Sequence, residues 1–216
     1  MKAVKYYSYD DIRLENRYIP TITDDELLVK VHGCGLCGSD ILKIVQQAPP
    51  PVILGHELTG TIVKRGRAVT NSAVGQRVVA HHVPCGHCHY CRHGNSSMCA
   101  SFKASNIDPC GLAEYIRVPP EHVQQTTLPL PETLTDEEGS FVEPLACCVR
   151  AVRRTSLLPG DTVVILGLGS IGLLMLQAFK ALGTGQSIPC GRSIRVYGID
   201  LLPERLELAR KFGTVC

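Results

Sequence analysis

Thr162-Val163-Val164-Ile165-Leu166-Gly167-Leu168-Gly169-Ser170-Ile171-Gly172 runs from a β-branched apolar stretch through a glycine loop into a helical pattern. Glycine-rich turns match G-x-G-x-x-G by chance, so its setting decides its value. Here Thr162 to Leu166 predicts a strand, and Ser170 to Leu182 predicts a helix that stops at Gly183. In that setting the first glycine makes a tight turn. The second removes the Cβ where a pyrophosphate approaches, and the third packs helix on strand, with the phosphates at the helix N-terminus. Gly167, Gly169, Ser170, Ile171 and Gly172 are therefore candidate cofactor-binding residues.

Toward the C-terminus, Arg195 to Ile199 predicts a second strand, and Pro203 to Phe212 a helix that begins with proline and ends at Gly213. Leu158-Pro159-Gly160-Asp161 is the turn that precedes the series. Strand, helix, strand, helix is the opening of a doubly wound sheet. Asp200 closes the second strand, where a carboxylate accepts hydrogen bonds from both ribose hydroxyls of NAD and repels a 2′-phosphate. NAD is thus favoured over NADP; the alternative for Asp200 is a solvated surface carboxylate. Asp200 lies 28 residues after Gly172, more than the usual interval of about 20. The excess falls in Gly183 to Ser193, which reads as a longer surface loop.

Toward the N-terminus the punctuation changes near residue 155, which predicts two domains, 1–155 and 156–216. The first 130 residues read as short strands between turns: Glu26 to His32, Gly60 to Lys64, Arg77 to Ala80 and Leu112 to Val118. Glycine and proline interrupt them too often for long helices, so a β-barrel or sandwich is expected. Thr135-Asp136-Glu137-Glu138 is a capping box that starts a helix. Pro144 starts another that runs to about Thr155, with Cys147 and Cys148 expected in its core.

Within the first domain, Cys85-Gly-His-Cys88-His-Tyr-Cys91 is followed by seven residues and then Cys99. Four thiols at this spacing suit one tetrahedral, structural zinc. An iron-sulfur site needs the fourth cysteine three residues after the third and followed by proline, and here Ala100 follows Cys99. Two further clusters, Cys37-Gly38-Ser39-Asp40 and Gly55-His56-Glu57, supply a Cys, a His and a carboxylate for a zinc with an open, catalytic-type position. The alternatives are a lone buried Cys and His, or a Cys34-x-x-Cys37 redox pair.

Composition narrows the classes. Lys and Arg total 22 against 20 for Asp and Glu, a net charge of +2 without a basic block, which gives no electrostatic case for nucleic acid or an anionic membrane. The N-terminus has no apolar run of signal-peptide type. Val163 to Leu176 is too short and too glycine-broken to span a bilayer. Eleven cysteines without a secretion signal point to a reducing compartment, and a cytoplasmic location is expected.

Taken together, Cys37-Gly38-Ser39-Asp40, Gly55-His56-Glu57 with Gly60, the Cys85 to Cys99 lobe, Glu143-Pro144-Leu145-Ala146 and the Gly167 to Gly172 loop occur in a characteristic order. The chain resembles, over essentially its whole length, the zinc-dependent medium-chain alcohol dehydrogenases, and within them the polyol and threonine dehydrogenase-like branch. The resemblance implies a GroES-like β-barrel catalytic domain with a structural zinc lobe, followed by a Rossmann fold. It also implies a second, catalytic zinc on Cys37, His56 and either Glu57 or Glu143. Ser39 would begin a proton relay, and hydride would pass from a secondary alcohol or polyol to NAD. Family members are homo-oligomers. Cys34 matches a position where the family often has a non-ligand cysteine.

Two departures carry expectations. Cys110 stands where the family usually has glycine, so a positive φ there would strain it. The sequence holds two strands and two helices of a fold that needs two βαβαβ halves, so it reads as C-terminally truncated by on the order of 100 residues at roughly 30 per βαβ unit. The chain alone is then expected to hold only the adenosine half of an NAD site and to lack the dimer-forming strand. The rival in another class is a non-catalytic zinc-binding module acting through a protein partner.

Overall fold

Glycine and proline break the first part of the chain into strands too short to stand alone, so their stability comes from shared burial. In the computed structural model, which describes residues 1–46, 49, 52–158, 160–183 and 194–213, two compact units form, Met1–Val142 and Glu143–Cys216. The elements of the first are β1 (Lys2–Ser8), β2 (Asp11–Asn16), β3 (Leu27–Gly35), α1 (Gly38–Val45), β4 (Val52–Ile53), β5 (Glu57–Arg65) and β6 (Arg77–Ala80). After them come α2 (His89–Arg92), a 3-10 turn at Ser96–Met98, α3 (Ala100–Ala104), β7 (Tyr115–Val118), α4 (Pro120–Gln125), β8 (Thr127–Pro129) and α5 (Asp136–Ser140).

The strands make a three-stranded sheet, β2-β1-β4, and a five-stranded sheet, β7-β3-β5-β6-β8, antiparallel throughout. Leu27, Val29, Ile62, Ile116 and Val118, all supplied by the five-stranded sheet, are fully buried in one core. Each such side chain contributes about 1.5–3 kcal/mol relative to exposure, which outweighs the weak local propensities. The register of β3 on β5 shifts at Leu28/Val29 and again at Val31/Gly33. Such irregularities bend a strand and re-aim its side chains. Here they carry β3 past the predicted end at His32 and set Gly35 opposite Glu57.

Helix α1 has no counterpart among the elements expected from the sequence. Cys37 and Asp40 cap it reciprocally: the Cys37 sulfur accepts from the Ser39 N–H at 3.4 Å, and Asp40 Oδ2 accepts from the Cys37 N–H at 3.2 Å. The capping box at Thr135 forms as expected, with Glu138 N–H donating to Thr135 Oγ1 at 3.1 Å and Thr135 N–H to Glu138 Oε2 at 2.8 Å. Asp136 then ties α5 to the sheet, accepting from Arg77 Nη2 at 2.9 Å and pairing with His32 Nδ1 at 2.8 Å.

The second unit holds α6 (Val142–Arg153), β9 (Thr162–Leu166), α7 (Ser170–Gly183), β10 (Arg195–Ile199) and α8 (Pro203–Lys211). β9 and β10 pair in parallel from Thr162↔Arg195 to Leu166↔Ile199, as a βαβ crossover requires. Leu168, Leu176 and Ala209 are fully buried in this unit's core. Helix α6, placed by sequence in a domain ending at 155, joins this unit instead, because Cys148 and Val152 pack into the same core. Cys147 was expected in the core beside Cys148 and is exposed. Successive helical residues face about 100° apart, so burying one of the pair turns the other outward. The predicted surface loop lies, beyond Gly183, outside the described residues, as does Pro159 of the turn. No helix among the described residues is long and apolar enough to cross a membrane.

Candidate metal centres and nucleotide loop

The cysteine lobe is built from very short elements. Cys88 precedes α2, Cys91 lies within it, and Cys99 sits between the 3-10 turn and α3. The four sulfurs of Cys85, Cys88, Cys91 and Cys99 all lie within 4.8 Å of one another. Backbone donors face them: the Cys85 N–H reaches the Cys99 sulfur and the Cys88 N–H the Cys85 sulfur, each at 3.4 Å. The Cys85 and Phe102 N–H groups hold the Cys99 thiol down to about 5, while burial pushes Cys91 up to about 12. The N–H groups favour thiolates at Cys85 and Cys99, and four sulfurs gathered this closely are arranged as the ligands of one cation. The donor set fits tetrahedral zinc.

Cys37, His56 and Glu57 form a second cluster, with their ligand atoms also within 4.8 Å of one another. Cys37 is fixed as the cap of α1, and Glu57 opens β5 opposite Gly35. A Cβ on Gly35 would collide with Glu57 Oε2, so glycine makes room for the carboxylate. Asp40 organises the rest. It is fully buried, and its Oδ1 lies 3.5 Å from His56 Nδ1 and accepts from the Gly55 N–H at 3.4 Å. The Asp40 hydrogen bond pushes His56 up to about 9 against its partial burial. It also assigns the ring's proton to Nδ1, leaving the Nε2 lone pair for a metal. One thiolate, one imidazole and one carboxylate fit zinc of the catalytic type. The role of Asp40 is not evident from the Cys37-Gly38-Ser39-Asp40 run alone; its spacing from Cys37 as a capping residue is the available signal.

Ser39 stands exposed in the first turn of α1, two residues from Cys37. Glu143 lies at the start of α6, in the second unit, where its Oε1 accepts from the Cys147 thiol at 3.5 Å. Cys34 is a poor redox partner for Cys37: burial pushes its thiol up to about 12, and reactive cysteines need an accessible, lowered thiol. Cys110 has φ +116°, the strained position anticipated where a glycine is usual, with its sulfur accepting from Asn106 Nδ2 at 2.9 Å.

In the second unit, Gly167 adopts φ +90° and its N–H donates to the Ile199 carbonyl at 2.8 Å. A Cβ on Gly172 would strike the Gly167 carbonyl oxygen, whereas a Cβ on Gly169 would meet nothing nearer than Arg205 Nη1 at 4.0 Å. One glycine thus serves packing, and the other leaves an open approach to the first turn of α7, where Ser170 and Ile171 lie. Asp200 faces the same loop. Its Oδ2 accepts from the Leu168 N–H at 2.7 Å and its Oδ1 from the Leu202 N–H at 2.9 Å; these bonds hold its carboxyl below the usual range. Arg205 Nη1, 3.4 Å from Asp200 Oδ2, is a further neighbour of the loop, absent from the residues expected there. Its place in the first turn of a helix beginning at Pro203 was the signal. The cradle fits a dinucleotide pyrophosphate and ribose.

The family described as alcohol dehydrogenase GroES-like domain matches residues 23–132. Sorbitol dehydrogenase of Bacillus subtilis (strain 168) is 34% identical over 99% of this chain and 59% of its own length. Among solved structures, a zinc-binding dehydrogenase from Sinorhizobium meliloti 1021 bound to NADP superposes with a TM-score of 0.80 at 34% identity, covering 99% of this chain and 60% of the other. Galactitol-1-phosphate dehydrogenase from Escherichia coli does so with a TM-score of 0.78 at 31% identity, over 99% and 60%. The chain therefore spans about three-fifths of the length of the relatives it matches.

Proposed function

The chain belongs to the alcohol dehydrogenase GroES-like family, a zinc-type dehydrogenase group with a Rossmann-type second domain, and from that premise we propose a specific role. It serves an NAD-dependent oxidoreductase that moves hydride between a secondary alcohol or polyol and the nicotinamide. The observation that carries this is the convergence of Cys37, His56 and Glu57 on one point, with the buried Asp40 behind His56.

Cys85, Cys88, Cys91 and Cys99 would hold a structural zinc, and Cys37, His56 Nε2 and Glu57 the catalytic one. When bound there, zinc supplies Lewis acidity toward the substrate hydroxyl. Ser39 Oγ would accept the proton that the hydroxyl gives up as it passes its own proton on to solvent, to which it is exposed. Asp40 keeps His56 in the tautomer that ligates. Gly167 to Gly172 bind the pyrophosphate, and Asp200 accepts from the adenosine ribose, which supports NAD over NADP even though one similar structure carries NADP. Glu57 is preferred to Glu143 as third ligand because its carboxylate lies with Cys37 and His56. We place the protein in the cytosol, as a homo-oligomer without nucleic-acid or membrane partners.

The named relatives act on sorbitol and on galactitol 1-phosphate, so the substrate class spans neutral and phosphorylated polyols. The experiment is NAD reduction by the zinc-loaded protein over a panel of sorbitol, galactitol and 2,3-butanediol, repeated with Glu57→Gln and Glu143→Gln. Turnover should disappear with Glu57→Gln and survive Glu143→Gln. Turnover that persists after zinc removal contradicts the proposal.

A further inference from the structure

The cysteine lobe carries imidazoles that its four-sulfur cluster does not use. His89 and His93 stand at the first residue and the C-cap of α2, and both are exposed. Residues four apart share one face of a helix, and here the two rings come to 4.3 Å between centroids at an interplanar angle of 34°. Two imidazoles bound at right angles to one ion, with metal–nitrogen bonds of about 2.0–2.1 Å, have ring centres about 4.5 Å apart. The pair already stands at chelating distance.

The hydrogen bonds around the pair leave ring nitrogens available. His93 Nδ1 lies 2.8 Å from the His89 carbonyl oxygen, so the ring proton is donated to the backbone there and Nε2 keeps its lone pair. No hydrogen bond to a ring nitrogen of His89 is present among the described residues, and that ring lies edge-on to Tyr90. The lobe's third imidazole, His87, bonds the Cys85 carbonyl through Nδ1 at 2.8 Å and does not converge with the pair. No Asp or Glu occurs between Cys85 and Ser105. Two imidazoles without a carboxylate suit a borderline divalent ion such as nickel, copper or zinc, and not magnesium or calcium, which take oxygen ligands.

We propose that His89 and His93 form a third metal site, for a divalent transition ion whose other ligands are water, separate from the four-cysteine cluster and from the Cys37 cluster. The ion clasps the two ends of α2, whose turn carries Cys91 and follows Cys88. That helix is a single turn, closed by the Arg92 and His93 N–H groups on the Cys88 and His89 carbonyls, and one turn is not stable by itself. A clasp across it therefore steadies the segment that presents two of the four sulfurs, because an ion that binds only the ordered turn favours it by mass action. With two protein ligands the site holds its ion more weakly than four thiolates hold zinc, and desalting empties it.

Isothermal titration calorimetry of the zinc-loaded, desalted protein with nickel chloride tests this, with the zinc count followed alongside. One nickel should bind per chain without displacing zinc. His89→Gln and His93→Gln should each weaken it by at least about 10-fold, since a single imidazole lacks the advantage of a second ligand on the same turn. His87→Gln should bind nickel as the wild type does. Both replaced side chains of the pair are exposed, so the zinc count should not change in these variants. Bound nickel should also slow amide hydrogen exchange across residues 88–95 in the wild type and leave it unaltered in His93→Gln. Absence of nickel binding, wild-type affinity in either pair variant, or nickel that enters only as zinc leaves, overturns the proposal and leaves the two zinc assignments standing. Exchange that bound nickel does not slow overturns the clasp on α2.

Discussion

Asp40 Oδ1 and His56 Nδ1 lie 3.5 Å apart, and the carboxylate is fully buried. Burial alone would raise the Asp40 pKa, yet His56 and the N–H groups of Cys37 and Gly55 hold it below its ordinary range. The pair is thus electrostatically self-consistent without any other charge. Asp40→Asn keeps the shape and removes the charge that orients the ring. It should weaken zinc at the Cys37 cluster by about 10- to 100-fold while leaving the four-cysteine zinc in place. Chelator competition with a zinc indicator, followed for both ions, checks this; equal loss from both sites would refute a local role.

Gly35 faces Glu57 across β3 and β5. Gly35→Ala adds a methyl where Glu57 Oε2 now sits, and a carboxylate at the end of a flexible side chain moves before a paired backbone does. The variant should fold with a near-unchanged circular dichroism spectrum and lose zinc from the Cys37 cluster. Full occupancy of both zinc sites in Gly35→Ala would show that Glu57 is not placed by that glycine.

Cys110 sits at φ +116°, where a side chain costs of order 1–3 kcal/mol. Its sulfur is also buried and hydrogen-bonded, so removing the side chain has two opposing effects. Comparing Cys110→Gly with Cys110→Ala isolates the backbone contribution, since both lose the sulfur. The glycine variant should be the more stable by about 1 kcal/mol in urea denaturation. An alanine variant of equal or greater stability would mean the backbone there is unstrained.

His122 is 2% exposed, and neither ring nitrogen has a hydrogen-bond partner among the described residues. Burying an unpaired polar group costs about 1–3 kcal/mol. Desolvation lowers its pKa below 6.5, with Glu121 opposing and His81 reinforcing the shift. Below pH 6.5 the unfolded chain then binds more protons than the folded one, so stability falls as pH drops, by at most about 1.4 kcal/mol per pH unit. His122→Leu should be more stable at pH 7 and lose less on acidification. Urea midpoints between pH 7.5 and 5.5 report both; a destabilised variant with an unchanged pH slope would contradict the assignment.

How much of this was visible in the sequence follows from how local each feature is. The strand at Thr162–Leu166, the glycine loop and the Thr135 box depend on neighbours within a few residues, and all appear where periodicity and capping chemistry put them. The four cysteines were legible for the same reason, since one short segment supplies every ligand. Helix α1 was hidden because its cap is a cysteine and its first residue a glycine, both poor local signals. The role of Asp40 depends on Gly55 and His56, 15 and 16 residues away, and no spacing rule encodes that meeting. Helix α6 belongs with the second unit because Cys148 and Val152 pack there, a matter of tertiary burial that a change in punctuation near 155 does not reveal.

Native mass spectrometry with a zinc count, on the wild-type chain and on Cys99→Ser and Glu57→Gln, bears most directly on the claim of two separate centres. Two zincs in the wild type are expected, with one lost in each variant. A wild type that binds a single zinc, removed by Cys99→Ser and untouched by Glu57→Gln, would show that Cys37, His56 and Glu57 do not form a metal centre.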